Sequence, residues 1–234
     1  MTHTGSATAH LLAEPARVVA PRLLGSTVST CVDGRTVSIR LTEVEAYEGG
    51  IDPGSHGYRG RTARNSALFG PPGTLYVYFT YGMHHCANIV CGTDGTASAV
   101  LMRAGEVVSG VDTAVARRGR AGAPGPQLAS GPARLAQALG LTLEHTGLPV
   151  DHGTAGIHGV GTIALEHVAD RAPLHSTGPR TGVSGPGGGP EYPWRFWLEG
   201  ERSVSRYRPA AVRRRESGGR PAGGAAAGAA GPRG

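Results

Sequence analysis

The chain has 234 residues, of which 39% are hydrophobic and 17% charged, a composition that excludes disorder throughout and suits one globular domain. Its formal net charge of +6 hints at an anionic partner, but residues 213–234 hold five arginines against one glutamate, so the rest of the chain carries only about +2. All 23 basic residues are arginine, which excludes a side-chain Schiff base, and the lack of a long apolar run or signal-peptide h-region points to a cytoplasmic protein without membrane spans.

Residues 1–10 read as a flexible N-terminus ahead of a single domain over 11–211. Leu11 to Leu24 places apolar residues at near-helical spacing broken by Pro15 and Pro21, so one or two short helices are expected, with Gly25 as their stop. Thr27–Val32 and Thr36–Leu41 are β-rich runs around Asp33-Gly34, a hairpin signal. The second run continues to Tyr47, where Val44 and Ala46 alternate with Glu43, Glu45 and Tyr47. Residues 49–73, rich in Gly, Pro, Arg and Asn, read as a long surface loop of the kind that carries function. Leu75–Thr80 is a strand, Tyr81-Gly82-Met83 a turn and Ala87–Cys91 the return strand. Asp94-Gly95 turns the chain into another strand over Ser98–Ala104. A helix is expected over Val107–Ala116, then a basic Gly/Pro-rich loop to Gln127. A second helix should span Pro132–Leu139 and stop at Gly140. Val160–Glu166 and Trp194–Leu198 are the last strands, with a glycine-rich loop over Gly182–Pro190. From Gly218 onward 15 of 17 residues are Gly, Ala or Pro, too little apolar side chain to offset ordering entropy, so 212–234 is expected to be a disordered Arg/Gly/Ala-rich tail. Strands without alternating long helices point to the α+β class. The expected architecture is a mainly antiparallel curved sheet with peripheral helices and a protruding β-hairpin.

Seven of the 12 aromatic residues lie between positions 47 and 81. At strand spacing, Tyr76, Tyr78 and Phe79 fit a core. Tyr81 differs, because beside Gly82 at a hairpin tip a large ring has little core to pack into. It is a candidate to insert between DNA base steps. Arg59, Arg61 and Arg64 suit phosphate contacts as well as they suit a solvated loop. Glu43 and Glu45 share one face of a strand, which fits acid–base work or simply a solvent face. Arg103, in an otherwise apolar strand, either faces solvent at an edge or finds a carboxylate partner, since an unpaired buried charge is costly. His84, His85, Cys86 and Cys91 match no zinc spacing, so no metal is expected, and the three cysteines suit a reducing compartment.

The order of these motifs is specific: Leu23-Leu24-Gly25, Glu43-Val-Glu-Ala-Tyr47, Ser55-His56, Arg64-Asn65, Gly73-Thr-Leu-Tyr-Val-Tyr78, Tyr81-Gly-Met83 with Asn88, Leu101-Met-Arg103, Gly131-Pro132 with Gln137-Ala-Leu-Gly140, and Arg180-Thr-Gly-Val183. From about residue 17 to residue 208 the chain resembles the alkyladenine (3-methyladenine, methylpurine) DNA glycosylase family. The resemblance implies a monofunctional base-excision repair hydrolase that flips damaged purines out of duplex DNA and cleaves the glycosidic bond with an activated water. By position it implies Glu45 as the general base, with Arg103 and a main-chain carbonyl near Val183 holding the water. Tyr47, His56 and Tyr78 would line the base pocket, and Asn88 would oppose the 2-amino group of guanine at its floor. Tyr81 would fill the gap left by the flipped nucleotide, flanked by Met83, with Arg59, Arg61 and Arg64 on the DNA backbone. The partner implied is double-stranded DNA containing damaged purines, bound by a monomer with no cofactor.

The chain departs from the family at His84, where an aromatic residue is common. The basic loop over 116–127 and the tail have no assigned role. Two other classes remain open on the residues alone: a non-enzymatic binder of distorted DNA, using Tyr81 and the arginines but not Glu45, and a small-molecule nucleosidase, with no use for an exposed Tyr81.

Overall fold

In the computed structural model, which describes residues 3–80, 82–119, 122–150, 161–166 and 168–211, one long strand organises the sheet. Asp33 and Gly34 both adopt positive φ, 52° and 69°, as a type I′ hairpin requires. That turn pairs β1 (Thr27–Val32) with the first half of β2 (Arg35–Glu48). β5 (Ser98–Ser109) runs along one edge of β2, and the other edge is shared by β1 and then β8 (Arg195–Trp197). Beyond β5 lie β4 (His84–Cys91) and β3 (Leu75–Thr80). Beyond β1 lies β6 (Thr162–Glu166), and β7 (Ser176–Gly178) pairs with β8. The order is β3-β4-β5-β2-β1-β6, antiparallel throughout, so the α+β expectation and the hairpin of β3 and β4 are both found.

Register shifts between β2 and β5 curl the sheet. Leu41 pairs with Gly105 and Glu43 with Ala104, which leaves Thr42 extra on β2; Val44 pairs with Met102, which leaves Arg103 extra on β5. Such bulges bend a strand and re-aim a side chain. Gly105 is needed at this crossing, because a Cβ there would lie 2.4 Å from the Arg40 carbonyl oxygen.

Four helices pack around the sheet: α1 (His3–Leu12), α2 (Ala16–Leu23), α3 (Val111–Arg118) and α4 (Pro132–Leu139). α2 buries Ala16, Val19, Ala20 and Leu23 and packs on β2, while α4 buries Leu135, Ala136, Ala138 and Leu139 and packs on β4 and β5. Helix α4 has the expected bounds: Pro132 starts it and Gly140, at φ 77°, caps it with bonds to the Ala136 and Gln137 carbonyls.

Helix α1 is held at its C-terminal end by the buried Leu11 and Leu12 and by a bond from Gly92 N–H to the Leu12 carbonyl. Two local expectations need correction. Val107–Ser109, expected to open a helix, extends β5 instead, because β2 reaches far enough to pair with it; α3 begins only after Gly110 at φ 74°. β7 was not anticipated, being three residues long and paired only with β8. The tail assigned to 212–234 lies outside the described residues. No helix among the described residues is long and apolar enough to cross a membrane.

Glu43 ties this framework together. Its carboxylate accepts from Arg103 Nε at 2.8 Å, Arg195 Nε at 2.6 Å, and the Ser205 amide and hydroxyl at 2.7 and 3.0 Å. Strands β2, β5, β8 and the segment after β8 thus meet at one buried anion. Burial raises the Glu43 pKa, but the charges of Arg103 and Arg195 outweigh it and hold the group below its ordinary 4.5. Glu43→Gln should therefore cost about 3–5 kcal/mol, the penalty of breaking a buried ion pair. A depressed folded pKa contributes stability that is complete above 4.5 and is lost as pH falls through the folded value. Urea unfolding of wild type and variant from neutral pH downward should show a gap that holds above 4.5 and narrows below it. A gap independent of pH would remove the charge from the account.

Candidate active site

The alternation on β2 sends Val44 and Ala46 into the core and Glu43, Glu45 and Tyr47 to the opposite face. Arg103, displaced by its bulge, is buried between the first two. Its Nε serves Glu43, its Nη1 lies 3.3 Å from Glu45 Oε1, and its Nη2 reaches the Ser205 hydroxyl at 3.1 Å. Glu45 Oε1 also accepts the Thr181 amide at 2.7 Å, and Glu45 Oε2 accepts the Tyr47 hydroxyl at 2.8 Å. A carboxylate offers about four lone-pair sites, so these donors fix its orientation and leave room for one more. Burial, then the Glu45 charge, pushes the Tyr47 phenol well above its usual pKa, which keeps it a donor.

Glu45 lies in the wall of a cavity of about 820 Å³, within the size range of small-ligand sites. One face of the β3–β4 hairpin forms a continuous wall: Tyr76 pairs with Asn88, Tyr78 with Cys86 and Thr80 with His84, and all six line the cavity. Tyr76 and Tyr78 stack with ring centroids 5.8 Å apart, and His56 meets Tyr78 edge-on at 4.6 Å. Desolvation, then the Arg64 charge, lowers the His56 pKa, which favours the neutral imidazole. Asn88 is buried and donates from Nδ2 to the Tyr76 carbonyl at 3.0 Å.

The loops opposite are held by Arg180, fully buried and bidentate to Asp52 at 2.5 and 2.6 Å. Arg180 also donates to the Ala46 and Gly187 carbonyls, and its guanidinium carbon sits 4.4 Å from the centre of the Tyr47 ring. Close packing of glycines completes the joint: a Cβ on Gly187 would lie 2.3 Å from Gly54 N, and one on Gly188 would lie 1.9 Å from the Val183 carbonyl oxygen. Asn65 fastens the far end of the loop by bonds to the His56 and Gly60 carbonyls.

Of the residues singled out in the sequence, Glu45, Arg103, Val183, Tyr47, His56, Tyr78 and Asn88 all line the one cavity, together with Arg59. Of the two readings open for Arg103, the structure shows the carboxylate partner, in fact two, Glu43 and Glu45. Arg61 is exposed and away from the cavity lining, and Arg64 donates to the Phe79 carbonyl at 2.9 Å, bracing the hairpin. Met83 is exposed beside the hairpin tip. Tyr81 lies outside the described residues. Tyr76, read as core, is buried but lines the cavity, with its hydroxyl 3.3 Å from His56 Nδ1. Sequence reasoning missed the Asp52–Arg180 pair and Ser205. Arg180 stood in a quoted motif but had no assigned partner, since Asp52 is 128 residues away.

The family model for methylpurine-DNA glycosylases matches residues 10–202. A relative from Leifsonia xyli subsp. xyli, provisionally named a 3-methyladenine DNA glycosylase, is 53% identical over 196 residues, covering 81% of this chain and 87% of the relative. Relatives with the same provisional name from Streptomyces avermitilis and Cutibacterium acnes are 50% and 46% identical, covering 90% and 83% of this chain and 95% and 96% of their own. The carboxylate, the aromatic wall, Arg103 and Arg180 all lie within the matched span, and the chain belongs to the methylpurine-DNA glycosylase family.

Proposed function

We propose that this protein is a monofunctional DNA glycosylase that takes alkylated purines out of duplex DNA into the aromatic cavity and hydrolyses their glycosidic bond, leaving an abasic site. The observation that carries this reading is Glu45: a buried carboxylate, oriented by Arg103, Thr181 and Tyr47, in the wall of a base-sized aromatic pocket. A non-enzymatic binder has no use for so constrained a carboxylate, and the names of the relatives favour the enzyme.

The lesion base stacks against the tyrosine rings, whose faces attract a cationic alkylpurine. The bond from C1′ to the base nitrogen breaks with its electron pair going to the base, so a cationic base departs neutral without an added proton. Positive charge left on the sugar is met by the Glu45 carboxylate. Water attacks C1′ while Glu45 takes its proton. Arg103 has five N–H donors, three of them engaged by Glu43, Glu45 and Ser205, which leaves it able to orient that water. The Val183 carbonyl is the second water ligand in this scheme, pressed against Gly188 and so fixed in place. Asn88 opposes the exocyclic amine of undamaged guanine at the pocket floor. The wedge role of Tyr81 rests on its place in the sequence, and the protein acts as a monomer on double-stranded DNA.

Three outcomes test this reading. Glu45→Gln should bind damaged DNA normally and lose about 10²–10⁴ in single-turnover excision; a rate near wild type would pass the role to another group. Asn88→Ala should raise release of normal guanine relative to 3-methyladenine, read by chromatography of the freed bases. An unchanged ratio would take Asn88 out of discrimination. Finally, release of 3-methyladenine from alkylated duplex should persist in EDTA and leave strands that break only after alkali. A covalent complex trapped by borohydride would refute hydrolysis by water alone.

A further inference from the structure

We propose that Arg208 binds a phosphate next to the extruded nucleotide, so that the segment after β8 completes the substrate site. The inference rests on the DNA-binding part of the reading above. The chain after β8 is built into the site. Ser205 is fastened to Glu43 through its amide and hydroxyl. Three residues on, the Arg208 carbonyl accepts the Gly182 amide at 2.9 Å. Gly182 lies between Thr181, whose amide holds Glu45, and Val183.

The charges around the cavity ask for an anion. Among the described residues, Glu45, Arg59, Arg103 and Arg208 are the carboxylate and guanidinium groups in its lining. Glu45 is matched by Arg103 deep in the wall. Arg59 and Arg208 are exposed, and among the described residues neither forms an ion pair or a side-chain hydrogen bond. They are therefore uncompensated cations on the rim of a cavity whose interior is aromatic. A base seated against Tyr76 and Tyr78 carries its sugar to the mouth and its flanking phosphates onto that rim. The planar guanidinium fork matches phosphate oxygens in pairs. Because the Arg208 carbonyl also steadies Gly182, a phosphate held there bears on the loop that positions Glu45.

The test is the salt dependence of binding, read by fluorescence anisotropy on two duplexes, one undamaged and one with a single tetrahydrofuran abasic-site analogue. Arg208→Gln should make the slope of log affinity against log salt shallower by about 0.9 on the abasic analogue, the loss of one phosphate contact. The change should be smaller on the undamaged duplex, where no nucleotide enters the cavity. Arg208→Lys keeps the charge and should keep most of the slope. An unchanged slope for Arg208→Gln, an equal change on both duplexes, or a lysine variant that behaves like glutamine would overturn the assignment. Excision by the wild type is scored separately: its absence would remove the glycosylase reading while the binding slopes would still decide Arg208.

Discussion

Everything at the centre of this molecule depends on one buried guanidinium having two carboxylates to satisfy. Arg103 enters the sheet as the extra residue of a bulge, between Glu43 and Glu45. A buried charge without a partner is costly, and Glu43, which answers both Arg103 and Arg195, carries most of that burden. The two glutamates divide the work. Glu43 is matched by a second arginine, Arg195, and holds strands together. Glu45 shares only the more distant arm of Arg103 and spends its other lone pairs on an amide and a phenol, which leaves it oriented yet able to take one more hydrogen bond. The same face of one strand thus supplies two buried anions in unlike surroundings, and the bulge sets their difference.

The cavity is assembled from parts of unlike rigidity. The β3–β4 wall is regular sheet, with aromatic rings at period two over Tyr76 and Tyr78 and with Asn88 paired across from Tyr76. The facing wall is loop, made firm by the Asp52–Arg180 pair and by glycines so close that side chains are excluded. Loops normally supply function at the expense of order. Here a buried ion pair and main-chain contacts remove that freedom, so that the carboxylate and the Val183 carbonyl are presented by firm surroundings.

Much of the fold was readable because local chemistry decided it. Asp33-Gly34 set the β1–β2 register, Pro132 and Gly140 bracketed α4, and the β-branched and aromatic run of Leu75–Thr80 marked β3 to the residue. What could not be read depended on distant partners. Val107–Ser109 is strand only because Ser38 and Ile39 wait opposite. The helical N-terminal segment is anchored by Leu11 and Leu12 in a core formed by later strands. In the site, the need of Arg103 for a carboxylate was legible, but the bulge that aims it was not. Tyr76 looked like core by pattern, and only the curl of the sheet turns its buried ring toward a cavity. The motif around Arg180 was visible while its partner Asp52 was not, since nothing in either neighbourhood advertises a contact across 128 residues.

The Asp52–Arg180 joint has a consequence for who bears the strain of recognition. Arg180 touches the Ala46 carbonyl on β2, the Gly187 carbonyl on the late loop and both oxygens of Asp52 on the early one. Pulling the two loops apart, or pressing them inward as a lid, would strand two buried opposite charges. The protein is therefore a mould rather than a hand. On the function proposed above, the DNA does the deforming itself, and the work falls on its base pairs and stacking. That work is least where a lesion has already weakened the helix. Under that proposal, part of the selectivity is then exercised before any pocket residue is touched, by the mechanical softness of the damaged step.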